Sequence, residues 1–195
     1  MAVRAVIFDV GETLVDETGM WERAADAAGV PRFTFMGVLG GLAARGEQHR
    51  RVWDVLGVAP SASAWSVDDL YPDVLPCLER LRSEGLRVGA VGNTPAETEE
   101  LLRPHVDVLG SSGRWGVEKP SPEFFARVVA AAEHPPGEIA YVGDRVDNDV
   151  RPAREAGMVA VHIRRGPWGY LHNGADVSHV QIDSLDELPE ALARA

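Results

Sequence analysis

Val3-Arg4-Ala5-Val6-Ile7-Phe8-Asp9-Val10-Gly11-Glu12-Thr13-Leu14 opens with a short run of β-forming side chains and stops abruptly on an acidic, glycine-containing loop. A run of this length, closed by a polar loop, reads as a buried strand that delivers the loop at its end. Similar runs recur at 86–91, 106–109, 139–142 and 159–163, with a weaker one at 179–182. Segments with helical spacing lie between them, and several carry start signals. Thr94-Pro95-Ala96-Glu97 places a threonine at the N-cap, a proline at the first helical position and a glutamate at the third. Ser121-Pro122-Glu123 and Ser184-Leu185-Asp186-Glu187 open two more helices by related logic. Strands alternating with helices predict an α/β fold with a mainly parallel sheet.

The alternation fails between residues 15 and 70, a stretch with Trp21, Trp53 and Trp65 and no convincing strand. It reads as a small helical insertion, so the chain divides into residues 1–14 plus 71–195 as the core and 15–70 as the insert. Val58-Ala-Pro-Ser-Ala-Ser-Ala forms a loop within it, and Tyr71-Pro72 marks the return. The Trp and Met residues there are expected to pack rather than to bind.

The whole chain has 195 residues, 45% hydrophobic and 25% charged, enough for one domain plus a modest insertion. Its 19 Lys and Arg against 30 Asp and Glu give a net charge of -11, which repels a nucleic-acid backbone and argues against such a partner. A small anionic substrate stays compatible, because amides, one lysine and a metal can dominate a local site. Cys77 stands alone, so no intramolecular disulfide and no Cys/His zinc spacing exist, as expected of a protein of the reducing cytoplasm. No apolar run could span a bilayer, and Asp9 arrives before a signal-peptide core is complete, so neither secretion nor a membrane role is expected. Oligomeric state is not legible.

In an open parallel sheet, ligands gather beyond the carboxyl ends of the strands. Four polar clusters fall at such ends: Asp9 with Gly11 to Thr13, Gly92-Asn93-Thr94, Glu118-Lys119-Pro120, and Gly143-Asp144 through Asn148-Asp149. In order and spacing they resemble the four motifs of the haloacid dehalogenase (HAD) superfamily. Phe8-Asp9-Val10-Gly11-Glu12-Thr13-Leu14 resembles the first, whose leading aspartate becomes an aspartyl phosphate. The resemblance covers nearly all of the chain outside the insertion. It implies a Rossmann-like, HAD-like core, and it makes the insertion look like a small cap of the family's first type.

Phosphoryl transfer needs an in-line nucleophile and compensation for charge spread over the phosphoryl oxygens. Asp9 is the candidate nucleophile and Lys119 the fixed positive charge beside it. Mg²⁺ held by Asp9, the Gly11 carbonyl and Asp144 would offset the repulsion between carboxylate and phosphate. Asn93, Thr94 and the Gly92 amide, with the helix start after them, are the expected phosphate hold. Asp149, with Asn148 beside it, is expected to support the site by orienting Lys119 or a metal-bound water. Each has a plainer rival: Lys119 as a surface lysine, Thr94 as a cap, Asp147 and Asp149 as helix openers. The six histidines read as surface or packing residues.

Two residues depart from the family's pattern. Where its phosphatases usually carry a second, acid-base aspartate, this chain has Gly11, and such help is worth roughly 10²–10⁴ in rate. Its loss bears most on alkyl phosphates. Glu12 is adjacent, but neighbours on an extended chain point oppositely. Gly92 replaces the usual serine or threonine of the second motif. The leading expectation is a Mg²⁺-dependent phosphatase of a small phosphorylated metabolite. The alternatives are a catalytically weak relative that binds phosphate or a partner, and metal-free dehalogenation, which the retained Asp144 and Asp149 disfavour. Phosphonate hydrolysis by a cap lysine is set aside, since residues 14–70 hold no lysine. Arg45, Arg50 and Arg51 are candidates for a second anionic group, with solvated charges as the plainer reading. The turn at 164–169 either borders the site or seals an edge.

Overall fold

The computed structural model describes residues 2–61, 64–174 and 176–194. The opening apolar run forms β1 (Ala5–Phe8), followed by β2 (Arg87–Gly92), β3 (Val108–Ser111), β4 (Ile139–Gly143), β5 (Val159–Ile163) and β6 (Val180–Ile182). All pair in parallel in the order β3-β2-β1-β4-β5-β6. The sheet read from the sequence is the sheet the chain builds.

The helices are α1 (Thr18–Ala27), α2 (Arg32–Ala44), α3 (Val52–Leu56), α4 (Val74–Ser83), α5 (Glu99–Leu102), α6 (Ser112–Trp115), α7 (Pro122–Ala132), α8 (Arg151–Glu155), α9 (Gly166–Leu171) and α10 (Leu188–Arg194). Successive strand residues point to opposite faces. Val6 and Phe8 therefore join one core with Leu78 and Leu81 of α4 and Leu188 of α10, while Ala5 and Ile7 join another with Phe124, Phe125 and Val128 of α7. Both faces are covered, as a parallel sheet requires.

Two of the expected caps form: Ser121 Oγ accepts from the Glu123 amide at the start of α7, and Ser184 Oγ from the Asp186 amide. Thr94 does not cap. Its carbonyl accepts from the Gly113 amide at 3.0 Å and from Ser112 Oγ at 3.3 Å, which ties the residue to the start of α6 instead. Pro95 has ψ 154°, and the 3₁₀ turn Ala96–Thr98 begins after it with no side-chain cap.

In the insertion, α1 to α3 bury a small core of their own around Ala25, Phe35, Leu39, Leu42 and Val52. The connections into and out of it run side by side. Val15 bridges Leu70, the Asp16 amide donates to the Asp69 carbonyl at 2.8 Å, and the Tyr71 amide donates to the Leu14 carbonyl at 3.0 Å. Of the loop expected at 58–64, residues 62 and 63 lie outside the described residues. Among the described residues, no helix is long and apolar enough to cross a membrane.

Candidate active site

The strand order reverses beside β1, with β2 on one side and β4 on the other, so a crevice opens beyond their carboxyl ends. Asp9 follows β1 directly, and its amide donates to the Val142 carbonyl at 2.8 Å. Asp144 follows β4, and His162 Nε2 donates to its carbonyl at 3.0 Å. Lys119 lies in the loop before α7. Its ammonium donates to Asp9 Oδ1 at 2.5 Å and to Asp149 Oδ1 at 2.6 Å. Lys119 is 3% exposed, so the surface-lysine reading fails.

Asp149 is fully buried in a turn of π-helix, Val146–Val150, and its second oxygen accepts from the Arg145 amide. It is no ordinary helix opener. Gly143 permits this approach: a Cβ there would stand 2.5 Å from that of Asp149. Asn93 is placed differently from expectation. Its Nδ2 donates to the Lys119 carbonyl at 3.0 Å and its Oδ1 accepts from the Lys119 amide at 2.7 Å. The side chain thus clamps the lysine's backbone instead of facing an open phosphate cradle. Asn148 and Thr94 line the same cavity. A Cβ on Gly92 would crowd Val10, Thr94 and Asp9 Oδ1 at 3.1 to 3.3 Å, so the site has closed around the missing side chain.

Asp9, Asp144 and Asp149 each bring an oxygen within 4.8 Å of the others, all three buried. Burial pulls the Lys119 ammonium down, but Asp149 and Asp9 outweigh it and hold its pKa well above the ordinary lysine value. Burial pushes the Asp144 carboxyl well up, reinforced by the charges of Asp149 and Asp9. Asp149 is raised by burial and Asp9, with Lys119 pulling back. One lysine among three carboxylates leaves negative charge uncompensated, and buried charge of this kind favours a cation.

The loop from Gly11 to Val15 turns about the Val10 carbonyl, which accepts from the Leu14 and Val15 amides at 2.9 Å. Glu12 takes a left-handed φ of 53°, so it is not on an extended chain as assumed from the sequence. Both its oxygens are engaged: Tyr71 donates its hydroxyl to Oε2 at 2.7 Å and the Glu17 amide donates to Oε1 at 3.2 Å. Glu17 was not singled out in the sequence. Its Oε1 would stand 2.5 Å from a Cβ at position 11, and its Oε2 accepts from the Trp21 indole at 3.0 Å. A carboxyl from the insertion therefore fills the space that Gly11 leaves, and no local motif could announce it. Burial and the charge of Glu12 push that carboxyl up to about 8.

These groups open into a cavity of about 590 Å³ between the sheet end and the insertion, within the usual range for small-molecule sites. Trp21, Trp53, Trp65 and Trp168 line it, and the three from the insertion also pack against the apolar cores, as expected. Trp168 lies on α9, so the turn after β5 does border the cavity. Its neighbour Arg165 is tied inward, donating to the Thr13 carbonyl and pairing with Asp73. His49 lines the cavity while packing against Trp21 and Trp168, in keeping with the packing reading, and burial holds its imidazole down to about 4. Arg45 and Arg51 instead pair with Glu47, leaving Arg50 as the arginine of that trio at the cavity.

Residues 3–157 match the family model described as haloacid dehalogenase-like hydrolase. The chain belongs to the haloacid dehalogenase-like hydrolases. This hydrolase is 40% identical over 132 residues to a glyceraldehyde 3-phosphate phosphatase of Methanopyrus kandleri, an alignment covering 63% of this chain and 56% of that protein. The match thus spans little more than half of the curated relative's length. Among solved structures, a HAD phosphatase from Thermococcus onnurineus superimposes with a TM-score of 0.67 at 24% identity, covering 97% of this chain and 98% of the other. A 2-haloacid dehalogenase from Pseudomonas syringae gives 0.67 at 22% identity, covering 98% and 99%. Structures named for two different chemistries share this fold, so the fold alone does not choose between them.

Proposed function

We propose that this hydrolase is a Mg²⁺-dependent phosphohydrolase acting on a small phosphorylated metabolite through an aspartyl phosphate on Asp9. The observation that carries the reading is the buried cluster in which Lys119 bridges Asp9 and Asp149 while Asp144 lies within reach of both. The curated relative named for phosphatase activity supports the phosphate reading over dehalogenation.

The donor set fits a hard divalent cation: buried carboxylate oxygens with excess negative charge and no soft ligand. Asp9, Asp144 and the Gly11 carbonyl would hold Mg²⁺, which when bound supplies charge compensation for an anionic substrate. The chain's own residues supply the remainder. Lys119 engages Oδ1 of Asp9, which leaves Oδ2 to attack phosphorus. The phosphorus–ester bond breaks, and its electron pair leaves on the alcohol oxygen, which takes up a proton from solvent water. The Lys119 ammonium and the backbone amides of Asn93 and Thr94 face the phosphoryl oxygens, while Asp149 and the Asn93 side chain hold Lys119 in place. Water then cleaves the aspartyl phosphate, releasing phosphate and restoring Asp9.

Residues 15–70 serve as a cap over this centre, a reading supported by their separate apolar core and by the paired connections at Val15 and Leu70. The single buried Cys77 suits a reducing compartment, and the cytoplasm is the proposed location. The test is hydrolysis of acetyl phosphate and an aryl phosphate, with and without Mg²⁺, by wild type and Asp9→Asn. Metal-dependent turnover lost in the variant is expected. A folded wild type no faster than the variant would overturn the reading in favour of a catalytically weak, phosphate-binding relative.

A further inference from the structure

The polar floor of the cavity accounts for a phosphoryl group, but its roof has a different chemistry. Trp21 and Trp65 are half-buried, while Trp53 and Trp168 are 8% and 5% exposed, and all four line the same space. The rings support one another. His49 packs edge-on against Trp21 at 5.7 Å and against Trp168 at 6.1 Å, and Phe35 joins Trp21 to Trp53 at 5.9 and 5.3 Å. A wall braced ring against ring keeps its shape when empty, and the partly exposed rings of Trp21 and Trp65 suit a flat apolar group.

The charges around the cavity point the same way. A substrate bearing a second anionic group needs a spare cation. Arg145 forms a two-pronged pair with Asp147 and lies 5.2 Å over the Trp168 ring. Arg50 is 67% exposed on its side chain and faces Glu118 at 3.5 Å. Glu118 borders the space beside Arg50, so a second carboxylate or phosphate there would meet like charge.

We infer that the substrate is a phosphate monoester whose organic half is a planar, apolar aromatic group with no second anionic charge. The inference rests on the phosphohydrolase reading above and deepens it. The phosphate sits over Asp9 and Lys119, and the ring lies against the tryptophans contributed by the insertion and α9. Burial of a ring on such a wall adds contact area and ring pairing that an alkyl chain of similar size lacks in part.

The experiment compares benzyl phosphate with butyl phosphate at saturating Mg²⁺. Both release an alkoxide, so leaving-group chemistry is closely matched and the ring is the main difference. The expected result is a kcat/KM for benzyl phosphate on the order of tenfold higher or more, with the ratio falling toward one in Trp65→Leu and in Trp168→Leu. Acetyl phosphate is run beside them, and intrinsic tryptophan fluorescence reports binding of phenylphosphonate against butylphosphonate. Equal kcat/KM for the two esters and equal quenching by the two phosphonates, with acetyl phosphate still turned over, overturns this inference alone. No turnover of any of the three phosphates overturns the phosphohydrolase reading and the inference with it.

Discussion

Lys119 holds one positive charge between two buried carboxylates, so its removal should be felt in folding and, on the proposed mechanism, in chemistry. Deleting one partner of a buried ion pair typically costs about 3–5 kcal/mol. Lys119→Met is therefore expected to lose turnover and to lower stability by about that amount, read by urea denaturation of the metal-free protein; a loss within experimental error would show that the lysine is not the electrostatic centre. Glu17 and His49 pull the pH dependence of stability in opposite directions. Glu17 is raised from 4.5 to about 8 in the fold, so its contribution is complete below pH 4.5 and is lost as pH rises to about 8. His49 is lowered from 6.5 to about 4, so between those values the unfolded chain binds a proton that the fold refuses, and stability rises with pH. Above pH 6.5 the Glu17 effect is no longer opposed by His49. The Tm of metal-free protein should fall from pH 6.5 to 8, and less steeply in Glu17→Gln; parallel curves for the two proteins would contradict this.

At the scale of elements, the strands were legible because each is a short run of β-forming residues, most of them closed by glycine, aspartate or asparagine, as in Phe8-Asp9 and Gly143-Asp144. Their edges were less so. β3 begins at Val108, two residues past the start of its apolar run, because the Asp107 side chain accepts from the Val88 amide where another strand residue would pair. Thr94 carried a sound cap signal, but the contacts of its carbonyl with Ser112 and Gly113 are tertiary and outweighed it. Glu17 and the tryptophan wall were illegible for the same reason. Each acquires its role from what the fold brings opposite: the empty position at Gly11, or a cavity closed by α9. The turn after β4 makes its own prediction. Gly143→Ala forces a Cβ against Asp149, and overpacking of this kind costs about 1–3 kcal/mol. Lower Tm together with weaker Mg²⁺ dependence of turnover is expected, whereas an unchanged metal dependence would detach Asp149 from the site.

Across the whole molecule, a net charge of -11 would oppose the approach of the proposed anionic substrate, which the local charge of the site must then draw in. Salt screens the long-range repulsion more than the buried contacts, since the Debye length is about 8 Å at 0.15 M ionic strength. At fixed Mg²⁺, kcat/KM for a phosphate monoester is expected to rise modestly with added salt; a steep fall would mean that surface cations, not the buried lysine, capture the substrate. A bound ion that recognises only the folded state also stabilises it, by about 2.7 kcal/mol at a hundredfold excess over Kd. Mg²⁺ should therefore raise the Tm of wild type and have little effect on Asp144→Asn. The measurement closest to the central claim is turnover of acetyl phosphate with Mg²⁺ in heavy-oxygen water, followed by peptide mass spectrometry. If water cleaves an aspartyl phosphate at its phosphorus, the heavy oxygen enters the released phosphate and the Asp9 peptide keeps its ordinary mass, while acid quenching during turnover traps a phosphoryl group on that peptide. Phosphate released with no phosphoryl adduct on Asp9 at any quench time, and turnover intact in Asp9→Asn, would contradict it.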